Sequence, residues 1–531
     1  MARMRSEECR CFRPRARLRA RFGRLIASIA TAFGLASLAW LSLTDDARAL
    51  PSYARQTGQP CGTCHTDFPG LTPFGRRFKL LGYTTGGGLY RTTPFSPSRD
   101  ANDANAALRA YAAEQRIDGN APLAPVGSGE KGWVPPVSAM TVIGLTHAQT
   151  SATGNTAPYG ANDIVTATPT SFFYGGAITN NIGAFAQVTW NAPPAGGFSD
   201  PFGHTWTWDN TDIRFASTAH VGSLDFIYGI TANNNPTVQD VWNTTPAWQF
   251  PYAAPFSLGN TNATNGPPTN PLIQGAFAAR VGSVGAYTMI NDFLYLEATV
   301  YRTLNFSQQN TMGSDPVGSP GLFDYAPYWR VALEPHWGSH TFMLGAFGMY
   351  FNIHPWIDTS GLTSQGTIAQ TNKFNDVGFD SQYQYQGNNW WLTLRGTYIH
   401  EFQTRDADFG GFTATAPTNL NNTIDSLKLY GSVALGGDHR VVLSSQYFNI
   451  RGSADLGLYG ADPNTGAALS PASDGFNAEI AYIPFGVSRA PGWPWFNARI
   501  GLQYTYFNRF NGTTAGAQNH NTLFLHAWLA M

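Results

Sequence analysis

Residues 496–505 read FNARIGLQYT, with Phe496, Ala498, Ile500, Leu502 and Tyr504 alternating against Asn497, Arg499, Gly501, Gln503 and Thr505. A period of two sends the two sets to opposite faces of a strand, one face apolar and the other polar. Phe476, Ala478, Ile480 and Tyr482 repeat the pattern against Asn477 and Glu479, as do Leu427, Leu429, Gly431 and Val433 against Ser426, Lys428 and Ser432. A β-sandwich also alternates, so the connections decide. About sixteen such stretches fit between residues 137 and 531, an even number as a transmembrane barrel requires. Short turns at Asn180-Asn181, Asn291-Asp292, Gly387-Asn388 and Gly436-Gly437 alternate with long Pro/Gly/Asn/Thr-rich segments such as 234–270 and 451–473. Short periplasmic turns and long external loops give a membrane barrel this asymmetry. The chain stops in a strand, with Leu523, Leu525, Ala527, Leu529 and Met531 on one face. The expectation is an all-β fold, a transmembrane antiparallel barrel of about sixteen strands over residues 137–531.

Composition agrees. Only 12% of the 531 residues are charged, against roughly 25% in a typical soluble protein. Hydrophobic residues make up 43% and aromatic ones 14%, with 15 Trp, 23 Tyr and 35 Phe. No apolar run beyond residue 50 approaches the ~20 residues of a spanning helix, which excludes a polytopic helical membrane protein.

The first 49 residues read as a signal peptide. Nine Arg precede Arg24 or end with it, an apolar stretch runs from Leu25 to Leu43, and Ala47-Arg48-Ala49 supplies small residues for cleavage. Without the leader's ten Arg and four acids, 22 basic and 29 acidic residues remain, a net charge of -7. That balance argues against a nucleic-acid partner.

Of the four cysteines, Cys9 and Cys11 leave with the leader, and Cys61 and Cys64 stay in Cys61-Gly62-Thr63-Cys64-His65. This is C-x-x-C-H, the attachment motif of haem c. Two thiols form thioethers with the porphyrin, and His65 is the proximal iron ligand. A disulfide is the plainer alternative in an oxidising compartment. Zinc would need another Cys or His pair, which residues 50–135 lack, and a thioredoxin-type site would need a βαβ context.

Downstream, Thr72 is placed to cap a helix with Pro73 at its first position, Phe74, Phe78 and Leu81 on one face, and Gly82 at its end. Arg76, Arg77 and Lys79 lie beside the motif, where they pair with the haem propionates or simply remain solvated. Between Leu50 and Pro136 there is no Met and no His besides His65. The sixth iron site is therefore open, filled by Lys79, a Tyr or water, or supplied by the barrel, with Met140 the nearest candidate in sequence.

Assigning the apolar faces to lipid leaves an inward set of Arg214, Arg280, Arg330, Arg395, Arg440 and Arg499 with Asp212, Glu297, Glu334, Asp376, Asp380, Glu401 and Glu479. Such a lumen either conducts water or holds an inserted domain. Residues 50–136 are the natural occupant, with the haem c segment over 50–100 and a linker or plug over 101–136 with a short helix at its start.

The run PSYARQTGQPCGTCHTDFPGLTPFGRRFKLLGYTTGG at residues 51–87, followed by such a barrel, resembles the fused monohaem cytochrome-porins of bacterial outer membranes. The matching residues are Ala54-Arg55-Gln56-Thr57-Gly58, the haem motif, and Phe74-Gly75 through Phe78-Lys79. The resemblance implies that Cys61 and Cys64 carry haem c and that His65 ligates it. It also implies an outer-membrane electron conduit, which takes electrons from an extracellular donor such as Fe(II) to a periplasmic cytochrome or similar carrier. Two rivals are a solute-conducting porin with a redox or plug domain, and a haem enzyme with an open sixth site.

Overall fold

The computed structural model describes residues 51–57, 60–66, 68–84, 136–150, 163–166, 169–190, 206–245, 248–253, 266–314, 321–354, 371–410, 416–487 and 494–531. The leader, and residues 85–135 with the proposed short helix and all but the last residue of the linker, lie outside these residues.

Alternating apolar and polar residues build one antiparallel sheet that closes on itself. Its first strand, Val137–Ala148, pairs with the last, Thr522–Ala530, in the register Met140 to Ala530 and Val142 to Trp528. Nineteen strand segments make sixteen staves. Asp163–Thr166 and Thr170–Ala177 both pair with the first strand, and Gly321–Phe323 and His336–Trp337 extend Ala326–Leu333 along the strand His340–His354. The longest hairpins join strands of fifteen residues, Asn372–Gln386, Trp390–Thr404 and Asn421–Leu435.

Period two sorts the wall. Along Ala326–Leu333 burial alternates at every residue, with Trp329, Val331 and Leu333 exposed and Tyr328, Arg330 and Ala332 buried. Ile213, Phe215, Ile230, Leu344, Phe379, Leu394, Leu429, Ile480, Leu502 and Leu525 continue the outward apolar surface around the barrel. Trp337, Trp390 and Trp495 stand exposed at the short-turn end, and Trp206, Trp208 and Tyr325 at the long-loop end. An apolar band between two aromatic girdles, on a closed sheet without edges, is the exterior of an outer-membrane barrel. In the three-residue turn between Ile290 and Leu294 both Asn291 and Asp292 have positive φ, 51° and 53°, the left-handed pair of a type I′ turn, whose twist matches that of the strands.

The inward set follows the expectation except at two positions. Arg440 is exposed in the turn before Val441, paired with Asp438 at 2.9 Å. Arg280 lies at the end of an inserted segment, ahead of the strand Val281–Ile290.

The larger correction concerns residues 234–270, expected as an external loop, together with the ten residues after them. Asn234, Val238, Val241, Trp242, Thr244, Phe250, Tyr252, Ile273 and Phe277 are all buried, packed inside the barrel. The physical reason is that a wide lumen lined by charge and amide offers partners to the backbone and polar side chains of an inserted segment. Asp240 accepts the N–H groups of Trp242, Thr244 and Thr245, and Gln382 donates to the Trp242 carbonyl at 2.6 Å. Leu272 and Ile273 donate their backbone N–H groups to Glu401 and Asp376.

Candidate functional site

Two pieces of chain meet in the lumen, the segment Ser52–Thr84 at the short-turn end and the inserted segment from the long-loop side. The first holds three short helices, α1 (Pro51–Thr57), α2 (Cys61–Cys64) and α3 (Pro73–Leu80). The motif is itself one helical turn: His65 N–H donates to the Cys61 carbonyl at 2.9 Å, and Gly62 N–H reaches the Val487 carbonyl of the wall at 2.9 Å. A bridge between His65 and Leu71 turns the chain back. Thr72 then caps α3 by accepting from Gly75 N–H at 3.1 Å, while its own N–H donates to the Cys64 carbonyl at 2.9 Å. A Cβ on Gly75 would lie 2.2 Å from that carbonyl, so only glycine lets α3 lie against the motif.

Most of the charged and polar groups of this segment clamp it to the wall. Arg76 Nε sits 2.9 Å from Glu334, and its Nη1 donates to Gln384 at 2.8 Å and Gln382 at 3.2 Å. Arg77 pairs with Asp292 at 2.7 Å. Tyr83 donates to Asp212 at 2.7 Å, and the wall's Tyr287 donates to the Leu80 carbonyl at 2.6 Å. Arg76 and Arg77, expected beside a haem, therefore face wall carboxylates and do not line the cavity described below. A guanidinium inside a lumen lined by acids is held by the nearest carboxylate, which at these positions belongs to the barrel.

The motif opens on a cavity of about 270 Å³ that lies between the two segments and the wall. Cys61, Cys64 and His65 form one side, with Phe68, Leu71 and Phe78. Met140, Phe173 and Phe185 of the wall, Trp528 of the last strand, and Val238, Val241 and Trp248 of the inserted segment form the rest. The aromatic rings interlock: His65 to Phe68 at 5.0 Å, Phe68 to Trp528 at 4.9 Å, and Trp248 to Trp528 at 5.9 Å between centroids. Polar groups are few. Lys79 borders the cavity and donates to the Val238 carbonyl, and Arg499 borders it while paired with Glu479 at 3.0 Å.

Cys61 and Cys64 are not joined by a disulfide. Burial pushes both thiols up to about 12, and the Cys61 sulfur adds to the rise at Cys64. Held neutral, they differ from the exposed thiolates of redox-exchange sites. Burial also lowers the Lys79 ammonium to about 8, helped by Arg214. Among the described residues no three His, Cys, Asp or Glu side chains gather where a single metal ion would sit. The residues present fit a haem: a large apolar cleft, two neutral thiols and an imidazole at one side, a buried thioether in the wall, and two cations at the margin.

Three features of the site escaped the sequence reading. Phe68 and Trp528 are single aromatics in a chain rich in them, and Trp248 sits in a stretch that reads as loop. The only signal was the concentration of apolar residues, Val238, Val241, Trp242, Trp248, Phe250 and Tyr252, inside an otherwise polar segment.

No protein-family model matches the chain, and no curated protein matches it. Solved structures similar to it are outer-membrane proteins. Pseudomonas putida OprB in its high-pH structure has a TM-score of 0.39 at 12% identity, over 74% of this chain and 93% of that one. The outer membrane channel DcaP of Acinetobacter baumannii has 0.39 at 10%, over 74% and 96%. Salmonella typhi OmpF in complex with daunomycin has 0.38 at 12%, over 74% and 97%. The sixteen-stave closure rests on the strand register and not on these likenesses. The chain is a closed antiparallel β-barrel of sixteen staves with segments of its own chain inside the lumen.

Proposed function

We propose that this protein is an outer-membrane electron conduit, carrying electrons from an extracellular donor such as Fe(II), through one haem c in the lumen, to a periplasmic cytochrome or similar carrier. The observation that carries this reading is the cavity: Cys61, Cys64 and His65 face an apolar cleft inside the barrel. Haem c bound there supplies a one-electron redox centre. Cys61 and Cys64 would hold it by thioethers, and His65 would ligate its iron from the motif side. Phe68, Trp248 and Trp528 exclude water from the cleft. Lys79 and Arg499 are the two cations positioned for carboxylates at its margin. The wall insulates the centre from lipid across an apolar band roughly 25 Å tall. With short turns toward the periplasm, the motif lies at the acceptor's side, against Val487 and Asn497.

Two measurements on the same protein test the proposal. In intact cells, a membrane-impermeant donor should reduce the haem without lysis, and in planar bilayers conductance should fall far below that of an open sixteen-strand porin. Reduction only after lysis, together with porin-level conductance, would establish the solute channel instead. Peroxide turnover by a five-coordinate haem would establish the enzyme.

A further inference from the structure

The pairing of the first and last strands of the barrel brings together two side chains as diagonal neighbours on the lumen face. Met140 lies on Val137–Ala148 and Trp528 on Thr522–Ala530, both 5% exposed and both lining the cavity. The Trp528 indole N–H donates to the Met140 sulfur at 3.1 Å. A thioether is a weak acceptor, and a buried indole N–H usually finds an oxygen. The sulfur has two lone pairs, so accepting on one leaves the other directed elsewhere. A Met side chain has three soft torsions and ordinarily adapts to its surroundings; the indole removes that freedom. The same Trp528 ring packs on Phe68, and Phe68 packs on His65, so one wall of aromatic contacts links the motif's imidazole to the Met140 sulfur. Among the described residues lining the cavity, Met140 and His65 are the only Met and His.

We propose that Trp528 is a positioning residue that fixes the Met140 thioether as the second axial ligand of the haem, a claim that rests on the haem c reading above. The hydrogen bond does what partners behind a ligand do at metal sites: it orients the donor atom and withdraws charge from it. Because ligand and orienter sit on the two strands that close the barrel, the sixth site is assembled by closure of the wall and not by the haem segment.

The test uses the full-length holoprotein, with haem attachment at Cys61 and Cys64 verified by mass and barrel closure by heat-modifiable mobility. The ferric protein should show the weak long-wavelength charge-transfer band of thioether ligation, and Met140→Leu, which keeps the side-chain volume, should abolish it. Trp528→Phe should weaken the band and bind added imidazole about 10-fold more tightly than the natural protein. If Trp528→Phe disturbs packing, benzothienylalanine at position 528 keeps the ring shape without the N–H and should give the same 10-fold change. A band retained in Met140→Leu overturns the ligand assignment. A band lost in Met140→Leu with imidazole affinity unchanged by both position-528 variants overturns the role of Trp528 and leaves the haem reading standing. No haem on Cys61 and Cys64 overturns the proposed function and this inference with it.

Discussion

The wall and its contents are built by different rules. In the wall, each residue's neighbours are set by its place along a strand: Arg395 faces Gln382 and Tyr430, and Asp376 faces Glu401, because the register puts them there. In the contents, Ser52–Thr84 and the segment following Asn233, nothing repeats, and individual side chains decide. Trp242 is held by Glu334 through its indole N–H, by Arg330 over its ring at 5.0 Å, and by Tyr295 at 5.2 Å. The wall is a lipid-facing scaffold stabilised by a sheet without edges. The chemistry is carried by what fills it, so the contents should be breakable with the wall intact.

The sharpest separation is chemical. Cys61→Ser with Cys64→Ser should eliminate covalent haem completely while leaving the barrel's strand content and heat-modifiable mobility unchanged, as read by haem stain and circular dichroism on one sample. A barrel that fails to form without the thiols would break the distinction between wall and contents.

Next comes Trp242→Ala, which removes a fully buried ring and should loosen the inserted segment by about 3–5 kcal/mol. Hydrogen exchange should rise across 237–245 and bilayer conductance should increase, with protection of the strand Asn421–Leu435 unaltered. Arg76→Met should cost the segment Ser52–Thr84 about 3 kcal/mol by taking the guanidinium from the buried Glu334 carboxylate, which keeps only the Trp242 indole N–H and His336 beside it. The double change Arg76→Met with Glu334→Leu should recover part of that loss, since replacing both partners with apolar groups is often neutral but here leaves the buried Trp242 indole N–H without its acceptor. Protease sensitivity of residues 51–84 reads both.

The smallest effect lies outside the membrane. Asp455 accepts the N–H groups of Thr418, Asn419, Gly457 and Leu458. These bonds favour the carboxylate and hold it at about 2 against its burial. The folded value lies below the ordinary ~3.9 of an unfolded Asp, so its stabilisation is complete above that value and is lost as pH falls toward 2. Asp455→Ala should destabilise this loop by about 1–2 kcal/mol at neutral pH, and the natural loop should become equally labile to acid protease near pH 2.

The contrast also explains what could be read beforehand. Sixteen staves were legible because the lipid face must be apolar and the lumen face need not be, so alternations such as Trp329, Val331 and Leu333 against Arg330 and Ala332 are physically forced. The helix Pro73–Leu80 was legible for a local reason, the cap at Thr72 with Pro73 behind it. The motif's residues, Cys61, Cys64 and His65, lie within five consecutive positions. The inserted segment was not legible: inside a polar lumen, Asn, Thr and Asp are interior residues, and the same composition reads as external loop. Arg76 and Arg77 were placed by their nearness to the motif in sequence, whereas their partners Glu334 and Asp292 lie more than two hundred positions away and only barrel closure brings them near. Met140 was named as the methionine nearest the motif in sequence, with Met289, Met312, Met343, Met349 and several His left as candidates, and its contact with Trp528 depends on pairing the two ends of the barrel.

The central claim, a haem held within the cylinder by the Cys61–His65 motif, is tested most directly by iron-edge anomalous diffraction from crystals of the holoprotein. One iron peak per chain inside the lumen, between His65 and Met140 and walled by Trp248 and Trp528, is the predicted result. A peak outside the barrel, or crystals of the mature protein without iron at Cys61 and Cys64, would contradict it.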